Sequence, residues 1–174
     1  MSKRDLKKYL NELNKEQLEE QILELYEKFS DVKVYYNFVF NPNENKLIGE
    51  AKVKIANEYF PLKGKRAKMR RSVAQKYIKH FLTLGVDVTM IADVMLFTIE
   101  TAQRFSFKKP IKYESFFKSF LIAYQQAVNF LIENGILNEF LDRVVDIKEE
   151  VNRQNWINKY EFNAFVEKVD DNFL

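Results

Sequence analysis

The chain contains no cysteine. Disulfide staples, thiolate metal sites and thiol nucleophiles are therefore excluded. Glycine and proline are scarce, at four and three residues of 174. Gly49, Gly64, Gly85 and Gly135 stand alone, so neither a phosphate-binding P-loop nor a dinucleotide fingerprint can be built. No long apolar run occurs. Val86 to Ala102 comes nearest and is broken by Asp87, Asp93, Thr98, Glu100 and Thr101, which does not suit a membrane span. The N-terminus leads into an amphipathic pattern with acids and lacks a secretory hydrophobic region. These absences lead us to expect a soluble, cytoplasmic protein with no membrane association, no cofactor and no metal, folded as one all-helical domain over residues 1–174.

Hydrophobic residues make up 47% of the chain, enough at this length to build a core without staples. Lys outnumbers Arg by 21 to 7. AT-rich coding DNA produces such a bias, so scattered Lys and abundant aromatics carry little weight. The apolar residues recur at helical spacing. Leu6, Tyr9, Leu10 and Leu13 share one face of a helix beginning near Ser2. Asn14 and Gln17 read as a capping box ahead of Leu18, Ile22, Leu25, Tyr26 and Phe29. Residues 31–40 fit both a strand and a helix, and the lack of any β-rich partner run favours helix. Asn43 is expected to cap the next helix, which Pro61 stops. Ser72 with Gln75 reads as another capping box, and Gly85 as a C-terminal stop. The most apolar helix opens at Asp87 or Thr89 and is expected to be central. A long helix starts near Pro110 and ends at Asn134-Gly135. The last helix opens at Asn158, with Glu161 as its box partner.

The expected fold class is all-α: about nine helices in stacked antiparallel hairpins, as a compact bundle or a short repeat-like array. Three runs, Lys3 to Leu10, Tyr35 to Pro42 and Lys68 to Gln75, resemble a family of small bacterial proteins of unknown function. That resemblance implies a bacterial, all-helical protein and brings no catalytic or ligand-binding residue with it.

The most unusual feature is a stretch with no acid. Residues 61–80 hold Lys63, Lys65, Arg66, Lys68, Arg70, Arg71, Lys76 and Lys79, so they carry +8 in a chain of net +3. Three of the seven arginines fall within six positions here. Were Ser72 the N-cap, these cations would crowd the positive end of a helix, at a cost of about 0.3–1 kcal/mol each. Such an arrangement suggests an anion or partner site made of Lys63, Lys65, Arg66, Lys68, Arg70, Arg71 and Ser72. The alternative is that the segment is merely solvated, or docks on the acidic C-terminal third. Tyr59, Phe60 and Tyr77 flank it and could stack on bases, although their spacing suits core packing better.

Chemistry elsewhere is sparse. His80 is the single histidine and has no recognisable catalytic partner motif. Asp93 and Glu100 share a face of the apolar helix, where Arg104 is the natural partner of Glu100 at i+4. The function expected is a non-enzymatic helical interaction module that uses the basic patch on an acidic protein surface. The alternative is nucleic-acid binding by the same patch, for which no base-reading motif is present.

Overall fold

The structure is a computed structural model that describes residues 2–62 and 66–173, the side chains of 168–173 excepted. Among the described residues it is all-α, with nine helices and no strand. These helices fall into two compact units, residues 1–43 and 44–174.

The first unit holds α1 (Lys3–Glu12), α2 (Lys15–Lys28) and α3 (Ser30–Phe40). Ser2 Oγ accepts from the Asp5 amide at 3.2 Å, and Asp5 accepts from the Ser2 amide at 3.0 Å. Asn14 and Gln17 repeat that reciprocal box at 2.9 and 3.0 Å. Phe29 is both the last cap of α2 and the first of α3, so the two helices share one corner residue. They pack on each other, with the Tyr26 and Tyr36 rings edge-on at 6.4 Å. The segment that also reads as alternating is helical: no strand exists among the described residues for it to pair with. None of the three helices contains a buried residue.

The second unit holds α4 (Glu44–Tyr59), α5 (Arg71–Leu84), α6 (Val88–Lys108), α7 (Glu114–Glu133), α8 (Leu137–Arg153) and α9 (Lys159–Phe173). Helix α6 is central, as its composition predicts, and packs against α4, α5, α7 and α8. Asp87 caps it by accepting from the Thr89 amide at 2.8 Å and, more weakly, from that of Met90 at 3.4 Å. Gly85 and Gly135 take left-handed φ values of 76° and 69° where α5 and α7 end. Leu96, Ile99, Leu131, Tyr124 and Phe162 are wholly buried. Each such aliphatic or phenyl side chain stabilises the fold by about 1.5–3 kcal/mol. Three buried side chains reach across to a neighbouring backbone: Gln103 to the Ile147 carbonyl at 2.8 Å, Tyr124 to Val144 at 2.9 Å, and Asn158 to Phe117 at 2.9 Å. These bonds fix α6 and α7 against α8, and the start of α9 against α7.

Three helix starts, those of α5, α7 and α9, depart from the sequence expectation. Helix α7 begins at Glu114, four residues past Pro110, with Tyr113 as cap. The Asn158–Glu161 box is not made, because the Asn158 amide is drawn to the Phe117 carbonyl and its Oδ1 has no partner.

Candidate partner-binding groove

The basic segment is where the structure corrects the sequence reading most. Lys63 and Lys65 lie outside the described residues. Arg70 is not free: its Nε and Nη2 each donate to the Glu58 carboxylate at 2.8 Å, a bidentate pair. The Glu58 carbonyl also accepts from the amides of Lys68 and Met69, both at 2.9 Å. One residue at the end of α4 thus holds the connector through both its side chain and its backbone. Met69 takes a left-handed φ of 52° to bring its amide into place. The Arg70 bonds keep the Glu58 carboxyl below the usual glutamate range.

Arg71 points inward. It is half-buried and its Nη1 donates to the Ser119 carbonyl at 2.5 Å, between α5 and α7. Burial lowers its pKa, and nearby Tyr59 opposes that shift. Ser72 is exposed and is not the N-cap; Arg70 holds that position, with no side-chain capping bond. The anion site drawn from Arg70, Arg71 and Ser72 therefore does not assemble. The acid that docks the segment is Glu58, not one from the C-terminal third. Arg66 and Lys68 remain exposed.

Arg66 belongs to a different surface. It lines an open groove of about 460 Å³ with Phe60, Pro61, Met69, Lys108 and Lys109. That groove shares Phe60 and Lys108 with a second of about 540 Å³, which runs on between α4, α6 and α8 past Phe97, Arg104, Phe107 and Arg153. Several cations lie over ring faces: Lys108 over Phe60 at 5.6 Å, Arg104 over Phe97 at 5.5 Å and Lys109 over Phe105 at 5.7 Å. Among the described residues no carboxylate lies within ion-pair distance of Arg104, Lys108 or Lys109. Lys108 and Lys109 end α6, where the helix dipole favours positive charge. Arg153 is bound to Glu150 at 2.7 Å.

Beyond Arg104 the surface changes sign. Arg143 of α8 donates to Glu100 and to Asp93, both at 2.9 Å, and Lys52 of α4 meets Asp93 at 2.5 Å. Glu100 is thus partnered by Arg143 and not by Arg104, which donates to Thr101 Oγ1 at 3.0 Å instead. Asp93 and Glu100 do share a face, as their spacing predicts, and a cross-helix arginine joins them into a structural tie. His80 is exposed, with its ring against Phe81. Of the aromatics flanking the basic segment, Tyr59 and Phe60 both line the groove beside the exposed cations, although Tyr59 is almost wholly buried. Sequence reasoning missed Phe97, Arg104, Lys108, Lys109 and Arg143 as site residues. The acid-free run from Ala102 to Tyr113, with three of those cations and Lys112, was the signal that could have shown part of it.

No described helix is long and apolar enough to cross a membrane. The sequence model of a family of unknown function, DUF6155, matches residues 1–170, and the chain belongs to that family. No curated protein and no solved structure matches it.

Proposed function

We propose that this member of a family without an assigned activity is a non-enzymatic interaction module, and that its groove takes an acidic, amphipathic segment of a partner protein. The observation that carries the reading is the groove itself: an aromatic floor of Phe60 and Phe97 beneath Arg104 and Lys108, with Lys109 beside them, three cations that no described carboxylate neutralises. A helix laid in such a groove would bury its apolar face on the rings and set its acids against the cations. Relative to the sequence expectation, the contact moves from Lys63–Arg71 to the end of α6, keeping Arg66 as one wall.

Nucleic-acid binding by this surface is the alternative, favoured by the exposed Phe107 beside Lys108 and Lys109. The carboxylate of Glu150 within the groove, and those of Glu100 and Asp146 further along the same side, weigh against a long phosphate track. The test is a comparison of probes on the full chain. A synthetic peptide with Glu at one helical face and Leu and Phe at the other should bind, and Arg104→Glu with Lys108→Glu should weaken it at least tenfold. Retention of heparin or a single-stranded oligonucleotide with a steep salt dependence, and no peptide binding, would shift the assignment to nucleic acid. Binding of neither removes the groove as an interaction site.

A further inference from the structure

The two joined grooves differ in charge. The one between α4, α6 and α8 holds Glu150 in its wall, and that carboxylate answers Arg153 at 2.7 Å. The smaller one, of about 460 Å³, has three cations, Arg66, Lys108 and Lys109, and no acid among the described residues that line it. None of the three lies within ion-pair distance of a described carboxylate. The dipole at the end of α6 offsets part of the charge of Lys108 and Lys109. Arg66 belongs to no helix and has no such counterweight.

The floor of the smaller groove is apolar and partly aromatic. The Phe60 and Phe105 rings meet edge to face, with centroids 5.7 Å apart. Lys108 lies over the first ring at 5.6 Å and Lys109 over the second at 5.7 Å, so the rings hold both ammonium groups beside the floor. Met69 extends the wall, and its amide bond to the Glu58 carbonyl at 2.9 Å fixes it there. The volume lies within the roughly 300–1,000 Å³ of sites that take small ligands or single anchoring groups.

We propose that the smaller groove takes a phosphate monoester carried on an aromatic ring, presented as a phosphotyrosine of the partner segment. The inference rests on the reading of the joined grooves as a partner site, and it names the residue that the smaller one selects. A partner glutamate brings a single negative charge and would leave two of the three cations unanswered. A phosphotyrosine brings about −1.5 to −2 and three acceptor oxygens. Its ring packs on Phe60 and Phe105, where edge-to-face contact is already the local pattern. Its oxygens meet the planar fork of Arg66 and the two ammonium groups. A phosphoserine would reach the cations and leave the aromatic floor bare. A free aryl phosphate offers the same chemistry as the modified residue, so the test carries a probe for each source.

Calorimetry on the full chain compares four peptides and phenyl phosphate. The parent peptide is the helix with Glu on one face and Leu and Phe on the other. In its three derivatives each Phe in turn is replaced by Tyr, sulfotyrosine or phosphotyrosine. At one position phosphotyrosine should bind about tenfold or more tighter than Tyr, the worth of a hydrogen bond to a charged group. Sulfotyrosine, similar in shape with a single charge, should fall between the two. Arg66→Gln with Lys109→Gln should erase the gain, so that Tyr and phosphotyrosine peptides bind alike. Both side chains are exposed and line only the smaller groove, so the fold and the neighbouring groove stay intact. No gain from phosphotyrosine at any position overturns the proposal and, if the parent peptide binds, leaves the partner groove standing. Sulfotyrosine equal to phosphotyrosine overturns it too, as does a gain that survives the double variant. Phenyl phosphate bound through Arg66 and Lys109 while every peptide is silent overturns the partner reading and assigns the phosphate site to a free aryl phosphate. Binding of no probe overturns both.

Discussion

Leu25 on α2 and Leu96 on α6 stand in similar helical stripes, yet the first is 46% exposed and the second 0%. The difference lies in what each helix meets. Helix α6 is enclosed by four neighbours, whereas α2 packs on α3 and buries none of its side chains completely. Amphipathic patterning forms a helix in both places; only a surrounding layer turns the pattern into a core. Apolar stripes thus mark a core in residues 44–174 and stay part-exposed in residues 1–43.

The sharpest way to break this contrast is a pair of matched truncations. Leu96→Ala should destabilise the protein by about 2–5 kcal/mol, the range for a leucine deleted from a closed core. Leu25→Ala should cost about 0.5 kcal/mol or less in a dilute sample, as surface substitutions do. Urea unfolding monitored by circular dichroism checks both, and equal costs would mean that α2 is covered as fully as α6. A smaller effect is expected at the charged tie. Arg143→Ala leaves Glu100 without its partner and should cost about 1–2 kcal/mol, reduced from the buried-pair range because these groups are about a third exposed. Adding Glu100→Gln should recover part of that loss, read as a coupling between the two sites.

The smallest effect concerns pH. The Arg70 bonds lower the Glu58 carboxyl below its ordinary value of 4.5 in the folded chain. A depressed carboxylate pKa adds stability above the unfolded value and loses it as pH falls through the folded one. The stability of the native chain should therefore drop more between pH 7 and pH 3 than that of Glu58→Gln. Parallel denaturation midpoints for the two proteins would show that the clamp on the connector contributes nothing.

Much of the fold can be read from local chemistry. Ser2–Asp5, Asn14–Gln17, Asp87, Gly85 and Gly135 act where their residue types predict, because a cap is made within one turn of chain. Ser72 and Asn158 fail for tertiary reasons. Arg70 takes the cap position while its side chain is committed to Glu58, and the Asn158 amide is captured by a carbonyl on another helix. The basic run illustrates the same limit. Counting charge from residue 61 onward stops three positions short of Glu58, the acid that neutralises Arg70. Acid-free composition is legible along a chain, but whether each cation is answered depends on residues brought near by folding. The groove is less legible still, since Phe97 and Arg104 of α6, Arg153 of α8 and Phe60 just past α4 share no motif.

Trp156 is the only tryptophan, and it is sealed among Phe116, Phe117, Phe120 and Phe162. Its indole sees no bulk water, and its Nε1 donates to Gln154 at 3.1 Å. The molecule therefore carries one optical reporter, blue-shifted while the aromatic box stays shut and red-shifted once solvent enters. That signal records the opening of α7, α8 and α9 and is blind to α1, α2 and α3, which hold tyrosines but no indole. Fluorescence and far-ultraviolet dichroism recorded on one sample would follow different parts of the chain, and a gap between their transitions would time the N-terminal helices against the rest.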